Sequence, residues 1–127
     1  MKSEAVTREI IGAGMEVHRV LGPGYLESIY QSAMIRELGS RGIPVQTQMA
    51  VEIFYKGQRI GLHRLDLIVA HEVVVELKCV SKLAEIHRAQ TISYLKATGI
   101  PVGMVLNFAG TSLTWQRIIF NKSVKSA

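Results

Sequence analysis

The stretch VVVELKC, residues 73 to 79, limits the fold of this chain more than any other feature of the sequence. Three consecutive valines predict a strand covered on both faces, because branched apolar side chains pack well on a pleated surface. Glu76 and Lys78 interrupt this apolar run, and burying an unpaired carboxylate or ammonium costs several kcal/mol or more. The two charges therefore form a structural ion pair, mark a strand end at solvent, or carry out chemistry.

Helices and strands alternate along the rest of the chain. Apolar residues at helical spacing predict three helices, at 3–21, 26–41 and 83–98. Apolar runs bounded by turn residues predict five strands, at 45–55, 59–69, 73–79, 102–108 and 113–120. The third helix has the length that a crossover needs, so we expect the strands before and after it to be parallel. The order ααβββαββ predicts an α/β (α+β) fold in which helices flank a mixed central sheet.

Length and composition favour a single intracellular domain. The 127 residues suit one domain, with its core at about 5–120 and a solvated tail at 121–127. Cys79 is the only cysteine, which excludes an internal disulfide and a site built on a cysteine pair. The charged N-terminus lacks the apolar segment of a signal peptide, and no apolar run approaches the ~18 residues typical of a membrane span. We therefore expect a cytoplasmic protein with no membrane partner.

Acidic residues of two neighbouring strands converge in this prediction. If the strands before and after His71 pair as a hairpin, Asp66 lies directly opposite Glu76, about 5 Å away between Cβ atoms. Alternation along the strand places Lys78 on the same face. Two carboxylates at this distance repel each other, and a shared cation is the commonest reason to keep them together. Hard oxygen ligands of this type suit Mg²⁺.

A purely structural interpretation of the same residues stays open. Asp66 could pair with Arg64 or Lys78 at a strand edge. Glu76 and Lys78 could form an ordinary ion pair worth under about 1 kcal/mol. The pattern of Asp66, Glu76 and Lys78 also specifies only a few positions, so the same spacing arises by chance in unrelated sequences.

Several motifs, taken together, resemble one known family. Asp66 and the Glu76-Leu77-Lys78 sequence, after a helix that carries Glu27 and before one that carries Gln90, resemble the PD-(D/E)XK nuclease superfamily. Within it, Gly24-Tyr25-Leu26-Glu27-Ser28-Ile29-Tyr30 matches the G-x-x-E-x-x-Y (GxxExxY) signature of a group of small proteins. Further stretches resemble this group at 17–18, 21–24, 42–45, 55–57, 66–69, 87–90, 94–95 and 106–108. The resemblance covers roughly residues 5 to 120 and implies a restriction-endonuclease-like core.

The resemblance implies a metal site on the acidic residues. Asp66 and Glu76 would ligate a divalent cation, Mg²⁺ or Mn²⁺, together with the backbone carbonyl of Leu77. Glu27 would reach the same cation from the second helix, directly or through water.

The resemblance also implies residues that act on water and phosphate. Lys78 would orient or help to deprotonate the attacking water, and Gln90 would touch water or phosphate from the third helix. Four further residues are candidates for lining the cleft: His18, Tyr30, His87 and Tyr94. Structural alternatives stay open, since the two tyrosines have the helical spacing of core residues and His18 could bond to the adjacent Gly-Pro-Gly turn.

Two functions follow from the resemblance. The first is a divalent-metal-dependent nuclease that hydrolyses phosphodiester bonds of nucleic acid, with DNA expected ahead of RNA. The second is a non-catalytic nuclease-fold module that binds nucleic acid or a protein partner. The formal net charge of +5 is compatible with a nucleic-acid partner, although many basic proteins bind none. A small nuclease that cuts both strands must dimerise or act twice, so a homodimer is a further expectation.

Overall fold

The computed structural model describes residues 3–121, in which three helices and seven strands are formed. The helices are α1 (Ser3–Leu21), α2 (Glu27–Ser40) and α3 (Glu85–Thr98). The strands are β1 (Val45–Thr47), β2 (Ala50–Tyr55), β3 (Gln58–Arg64), β4 (Leu67–Val69), β5 (Val73–Lys78), β6 (Val102–Asn107) and β7 (Thr114–Ile119). The predicted tail at 121–127 lies outside the described residues, apart from Asn121. None of the described helices combines the length and apolarity needed to cross a membrane.

Five strands form the central sheet in the order β1-β4-β5-β6-β7. β5 and β6 are parallel, as the length of the crossover predicts, and the other neighbouring pairs of this sheet are antiparallel. α3 makes the crossover and ends at Gly99, whose φ of 77° is a conformation that glycine adopts without strain. The predicted α/β (α+β) class, with a mixed sheet flanked by helices, is therefore confirmed.

The central sheet has an apolar core on each face. α1 and α2 cover one face, and the residues of β5 that belong to this core are Val73, Val75 and Leu77. α3 covers the other face, where its Leu95 and Val74 of β5 belong to a second cluster. Because side chains alternate along a strand, Glu76 and Lys78 lie on the α3 face with Val74. A strand that is buried on both faces therefore presents its two charges to one face only.

The two long strands predicted at 45–55 and 59–69 are wrong as single strands, because the hairpin that they form bends between two sheets. β1 pairs with β4 in the central sheet, whereas β2 pairs with β3 in a separate two-stranded sheet. The register of β1 with β4 continues into β2 and β3 as far as Ile53, after which it shifts by one residue, and the bend falls where Gln48 and Asp66 would pair. Gln48 has a left-handed φ of 56°, which is incompatible with an extended strand. The order is therefore ααβββββαββ, and the bend leaves Asp66 outside the ladder that β4 forms with β1.

Candidate active site

Asp66 and Glu76 are held together by reciprocal hydrogen bonds. The predicted register is confirmed, since Leu67 pairs with Val75 and Asp66 therefore lies opposite Glu76. The backbone N–H of Asp66 donates to Oε2 of Glu76 at 3.1 Å, and the backbone N–H of Leu77 donates to Oδ2 of Asp66 at 2.8 Å. Each carboxylate is thus fixed by a backbone N–H of the neighbouring strand. The other oxygen of each carboxylate takes no part in these two hydrogen bonds.

Burial and a neighbouring negative charge raise the pKa of each carboxyl group. Glu76 is only 3% exposed, and burial, followed by the charge of Asp66, raises its pKa to about 7. Burial also raises the pKa of Asp66, although the N–H of Leu77 opposes the shift. The charge of Glu27 raises both pKa values further, and the charge of Lys78 lowers both. A positive charge beside the pair therefore favours its ionised form.

Glu27 lies in the helical layer on the other face of the sheet, near enough for its charge to raise the pKa of both carboxyl groups. It is the first residue of α2, and its Oε2 accepts a hydrogen bond at 3.2 Å from the backbone N–H of Cys79, just after β5. One turn along α2, Nε2 of Gln31 donates to the backbone oxygen of Asp66 at 3.2 Å. These two contacts dock α2 onto the end of β5 that carries the charges.

A pocket of about 640 Å³ opens beside Glu27. The residues that line it are Gly24, Tyr25, Leu26, Glu27, Cys79 and Ala109. Tyr25 and Leu26 are exposed in the loop that leads into α2. Of the predicted site residues, Glu27 alone lines this pocket, so a ligand in it would meet Glu27 first.

Tyr30 fixes this loop from the core and does not line the cleft. Its side chain is fully buried and stacks on Phe108, with 4.4 Å between the ring centroids. Its hydroxyl donates to the backbone oxygen of Gly22 at 2.6 Å and accepts from the backbone N–H of Tyr25 at 3.3 Å. The expectation of a cleft residue is corrected, because the tyrosine of the signature instead holds the turn that precedes Glu27.

Two of the histidines have structural partners. Nε2 of the buried His18 lies 2.9 Å from the backbone oxygen of Gly110, and its ring packs near Phe108. The side chain of His18 therefore does not line the cleft, and its bond to the Gly-Pro-Gly turn is made by its backbone oxygen, which accepts from the N–H of Gly22 at 2.8 Å. Nδ1 of His87 accepts a hydrogen bond at 2.9 Å from the backbone N–H of Ala84 and so caps the start of α3.

The remaining predicted residues lie on the α3 face of the sheet. Lys78 is half-buried at the end of β5, on the same face as Glu76. Burial, followed by the charges of Glu76 and Asp66, raises the pKa of Tyr94 on α3, so its hydroxyl lies near the pair. Gln90 is half-buried on α3, one helical turn before Tyr94. Asp66, Glu76 and Lys78 therefore lie together at one end of β5, and α3 packs over them.

His63 is a residue of the site that the sequence did not indicate. Its ring stacks on Tyr94 with 4.0 Å between centroids, and its Nε2 lies 3.6 Å from Oε1 of Glu76. Burial lowers the pKa of His63, so its ring is neutral at pH 7 and this contact is not an ion pair. No sequence pattern could place His63 here, because its position depends on the bend between β3 and β4.

Asn107 lies in the stretch 106–108, which resembles the GxxExxY group in sequence. It is buried at the end of β6, where its Nδ2 donates to the backbone oxygen of Val80 at 2.8 Å. Its Oδ1 accepts from the backbone N–H of Val80 at 3.1 Å and from that of Ala109 at 3.2 Å. Asn107 therefore ties the segment that follows the charged end of β5 to the neighbouring strand.

The donors at this site fit a small divalent cation that keeps water ligands. Among residues 3–121, no group of three or more His, Cys, Asp or Glu side chains could hold a metal ion. Asp66 and Glu76 each offer one oxygen outside their exchange, and the carbonyl of Leu77 projects to the same side of β5 as the N–H that binds Asp66. Mg²⁺ typically takes one or two carboxylates and completes its shell with water and phosphate oxygens. Two carboxylates with raised pKa values and one carbonyl suit that mode of binding.

Known proteins match the chain in family and in fold. A family model of the PD-(D/E)XK nuclease superfamily matches residues 4–118. None of the curated proteins matches the sequence significantly. The crystal structure of SSO0001 matches with a TM-score of 0.57 and 18% identity, over 76% of this chain and 52% of that chain. The chain therefore spans about half the length of SSO0001.

An alkaline exonuclease, LHK-Exo from Laribacter hongkongensis, is a second structural neighbour. Its crystal structure matches with a TM-score of 0.53 and 12% identity, over 98% of this chain and 86% of that chain. The structure of LHK-Exo in complex with dAMP matches with a TM-score of 0.52 and 12% identity, over 93% of this chain and 84% of that chain. At these identities the likeness establishes a common fold.

Proposed function

The chain belongs to the PD-(D/E)XK nuclease superfamily, and on this premise we propose that it is a divalent-metal-dependent nuclease that hydrolyses phosphodiester bonds of nucleic acid. The single observation that carries the proposal is the pair formed by the half-buried Asp66 and the buried Glu76. Each carboxylate is anchored by the backbone of the neighbouring strand, and burial raises the pKa of both. Two carboxylates are retained in a buried position most readily when they bind a cation.

Mg²⁺ or Mn²⁺ is the cation that the donor set suits, and when bound it neutralises the carboxylates and stabilises negative charge developing on phosphate. Asp66, Glu76 and the carbonyl of Leu77 hold it in this proposal. Glu27 is oriented by the N–H of Cys79 and assists them directly or through water.

Other residues of the chain act on the nucleophile and the substrate in this proposal. Lys78 is on the same face as Glu76, where its ammonium group can donate hydrogen bonds that orient the attacking water. Gln90, on the half-buried side of α3, contacts water or a phosphate oxygen. In this proposal, the nucleic-acid strand that carries the scissile phosphate approaches these residues through the pocket beside Glu27.

DNA is the substrate that we place first. A neighbour with the same fold is an alkaline exonuclease, and its structure in complex with dAMP contains a deoxyribonucleotide. The Gly24–Tyr30 signature assigns the chain, within this proposal, to the small GxxExxY group of the superfamily. A single domain, a cytoplasmic location and a homodimer stay predictions from the sequence.

Cleavage of labelled plasmid, linear duplex, single-stranded DNA and RNA tests the proposal, with Mg²⁺, Mn²⁺ or EDTA present. The decisive variant is Glu76→Gln, and its matched control is Glu52→Gln on β2, where the carboxylate makes an exposed ion pair with Arg59 at 3.0 Å. We expect Glu76→Gln to lose more than about 100-fold in rate, because even the partners of metal ligands typically contribute about 10–100-fold. Glu52→Gln should cut at the wild-type rate.

The result that would contradict the proposal is equally specific. Folded wild type that cuts none of the four substrates and binds no Mn²⁺ would favour the non-catalytic module. Equal cutting by wild type and Glu76→Gln would attribute the activity to a contaminant or to another site.

A further inference from the structure

His63 reaches the carboxylate pair from outside the central sheet. It lies on β3, in the part of the hairpin beyond the bend, and its ring stacks on Tyr94 of α3 with an interplanar angle of 7°. Its Nε2 atom is buried and has no hydrogen-bond partner within the described chain. It lies 3.6 Å from Oε1 of Glu76. A buried ring nitrogen without a partner is costly, so its position at the carboxylate requires a reason.

Glu76 favours the tautomer of His63 that points a hydrogen at it. In the Nδ1–H tautomer, a lone pair on Nε2 would face an oxygen of the ionised carboxylate, which is repulsive. The hydroxyl oxygen of Tyr94 lies 3.4 Å from Nδ1, but the two rings are only 7° from parallel, so this oxygen lies above the imidazole plane and away from the in-plane lone pair of Nδ1. The stack on Tyr94 therefore holds the ring in place, and the carboxylate favours an Nε2–H group directed at Oε1.

We propose that His63 is a positioning residue whose Nε2–H fixes Oε1 of Glu76 for cation binding. This inference rests on the proposed function, because it assigns a role to Glu76 as a ligand. Oε2 of the same carboxylate is already held by the backbone N–H of Asp66. A hydrogen bond to the second oxygen stops rotation of the carboxylate, and an ionised oxygen has lone pairs for both His63 and a cation.

The separation of 3.6 Å is longer than an ordinary N–H···O hydrogen bond. Functional hydrogen bonds are often long in an unliganded protein and shorten when the charged complex forms. A hydrogen bond from Nε2–H to a carboxylate is charge-assisted, and charge-assisted bonds are shorter than neutral ones. The hairpin therefore contributes to the site through one ring, held in place by α3.

Three substitutions separate this role from simple packing. His63→Phe keeps a ring that can stack on Tyr94 but has no donor for Glu76. His63→Gln loses the ring but can present an amide N–H near the position of Nε2. Tyr94→Phe keeps the stacking surface and removes only the hydroxyl, so it is the control for the contact above the ring.

The first measurement is the affinity of each purified protein for Mn²⁺, by electron paramagnetic resonance with calorimetry, without any substrate. We expect His63→Phe to bind Mn²⁺ about 10–100-fold more weakly than wild type, as is typical when a ligand loses its hydrogen-bonded partner. His63→Gln should recover much of that loss, which a purely structural role would not predict. Wild-type affinity in a folded His63→Phe would overturn the role of His63 while leaving the metal site in place.

The second measurement is the tautomer of His63 in the metal-free protein, from long-range ¹H–¹⁵N correlations of the imidazole. We expect the Nε2–H form in wild type and also in Tyr94→Phe, because the carboxylate of Glu76 and not the hydroxyl of Tyr94 favours it. A wild type in the Nδ1–H form would overturn the inference whatever the cleavage assay gives. A wild type that binds no Mn²⁺ would overturn the proposed metal site itself, and this role of His63 with it.

Discussion

β5 and the β2–β3 hairpin invert the usual distribution of charged and apolar side chains. β5 is buried along almost its whole length, yet it carries Glu76 with 3% of its surface exposed. The hairpin is mostly exposed, yet it carries large apolar side chains that are 37% to 66% exposed, namely Ile53, Phe54, Tyr55, Ile60 and Leu62. The same chain therefore places a charge where apolar residues belong and apolar residues where charges belong.

The difference follows from which side of the bend a residue occupies. On the sheet side, two helical layers cover β5, so a charge is retained only where hydrogen bonds and neighbouring groups stabilise it. Beyond the bend at Gln48, Val51 is the buried residue that joins β2 to the core. Most other side chains of the described two-stranded sheet are not covered by a second layer. Stability therefore comes mainly from the central sheet, and the hairpin adds the contact of His63 with Tyr94.

The largest difference should appear when one leucine is truncated in each region. Leu67 of β4 is fully buried, whereas Leu62 of β3 is 42% exposed. We expect Leu67→Ala to lower the free energy of unfolding by about 2–5 kcal/mol through the cavity it leaves. Leu62→Ala should cost less than about 1 kcal/mol, as is usual for surface changes.

Urea unfolding of both leucine variants at one pH measures these values. Similar losses in the two proteins would show that the hairpin is packed as tightly as the central sheet. The contrast between the two regions would then be wrong.

The next difference concerns two glutamates and the effect of pH. Unfolded Glu76 releases its proton near the ordinary pKa of 4.5, whereas burial and then Asp66 raise the folded pKa to about 7. Between these values the folded state binds more protons, so stability falls as pH rises and levels off above pH 7. The shift corresponds to about 3 kcal/mol, and the raised pKa of Asp66 acts in the same direction.

Unfolding of the metal-free protein in EDTA between pH 4.5 and 8 measures this dependence. Glu76→Gln should lose most of the decline and be more stable than wild type at pH 8. Glu52→Gln, which changes an exposed carboxylate of the hairpin, should follow the wild-type curve. A parallel decline in wild type and Glu76→Gln would show that the buried carboxyl group is not the cause.

Much of the fold could be predicted because local patterns encode it. The valines of β5, the crossover helix and Gly99 specify a parallel pair of strands without knowledge of distant contacts. The bend in the long hairpin was missed because Gln48 has no strong preference for a left-handed conformation, so tertiary packing decides it. The register of Asp66 against Glu76 was predictable because a turn at His71 sets every pair that follows.

The site was less predictable wherever the sequence allowed a side chain to lie either in the core or in the cleft. Tyr30 and His18 belong to matching motifs, but their partners are backbone oxygens in loops, at Gly22 and Gly110. Helical spacing cannot separate a core tyrosine from a cleft tyrosine, and only Tyr94 of the two lies near the carboxylates. The position of His63 could not be predicted without knowing both the bend and the position of α3.

The smallest difference concerns two glycines, and it tests how closely α3 must approach the sheet. A Cβ atom at Gly103 of β6 would lie 2.7 Å from Cγ2 of Thr91 on α3, whereas one at Gly61 of β3 would lie 3.9 Å from the nearest atom, Cβ of Ile53. We expect Gly103→Ala to cost about 1–3 kcal/mol by overpacking. Gly61→Ala should be neutral or stabilising by about 0.4–1 kcal/mol, because alanine restricts the unfolded chain.

The same pair of glycine variants links packing to the candidate site. Thr91 lies between Gln90 and Tyr94 on α3, so a helix pushed away from β6 carries both residues away from the carboxylates. We therefore expect Gly103→Ala to weaken Mn²⁺ binding through the loosened stack of Tyr94 on His63, while Gly61→Ala binds as wild type. Unchanged affinity in a destabilised Gly103→Ala would mean that the position of α3 stabilises the fold without controlling the carboxylate pair, and that His63 acts independently of the helix on which it stacks.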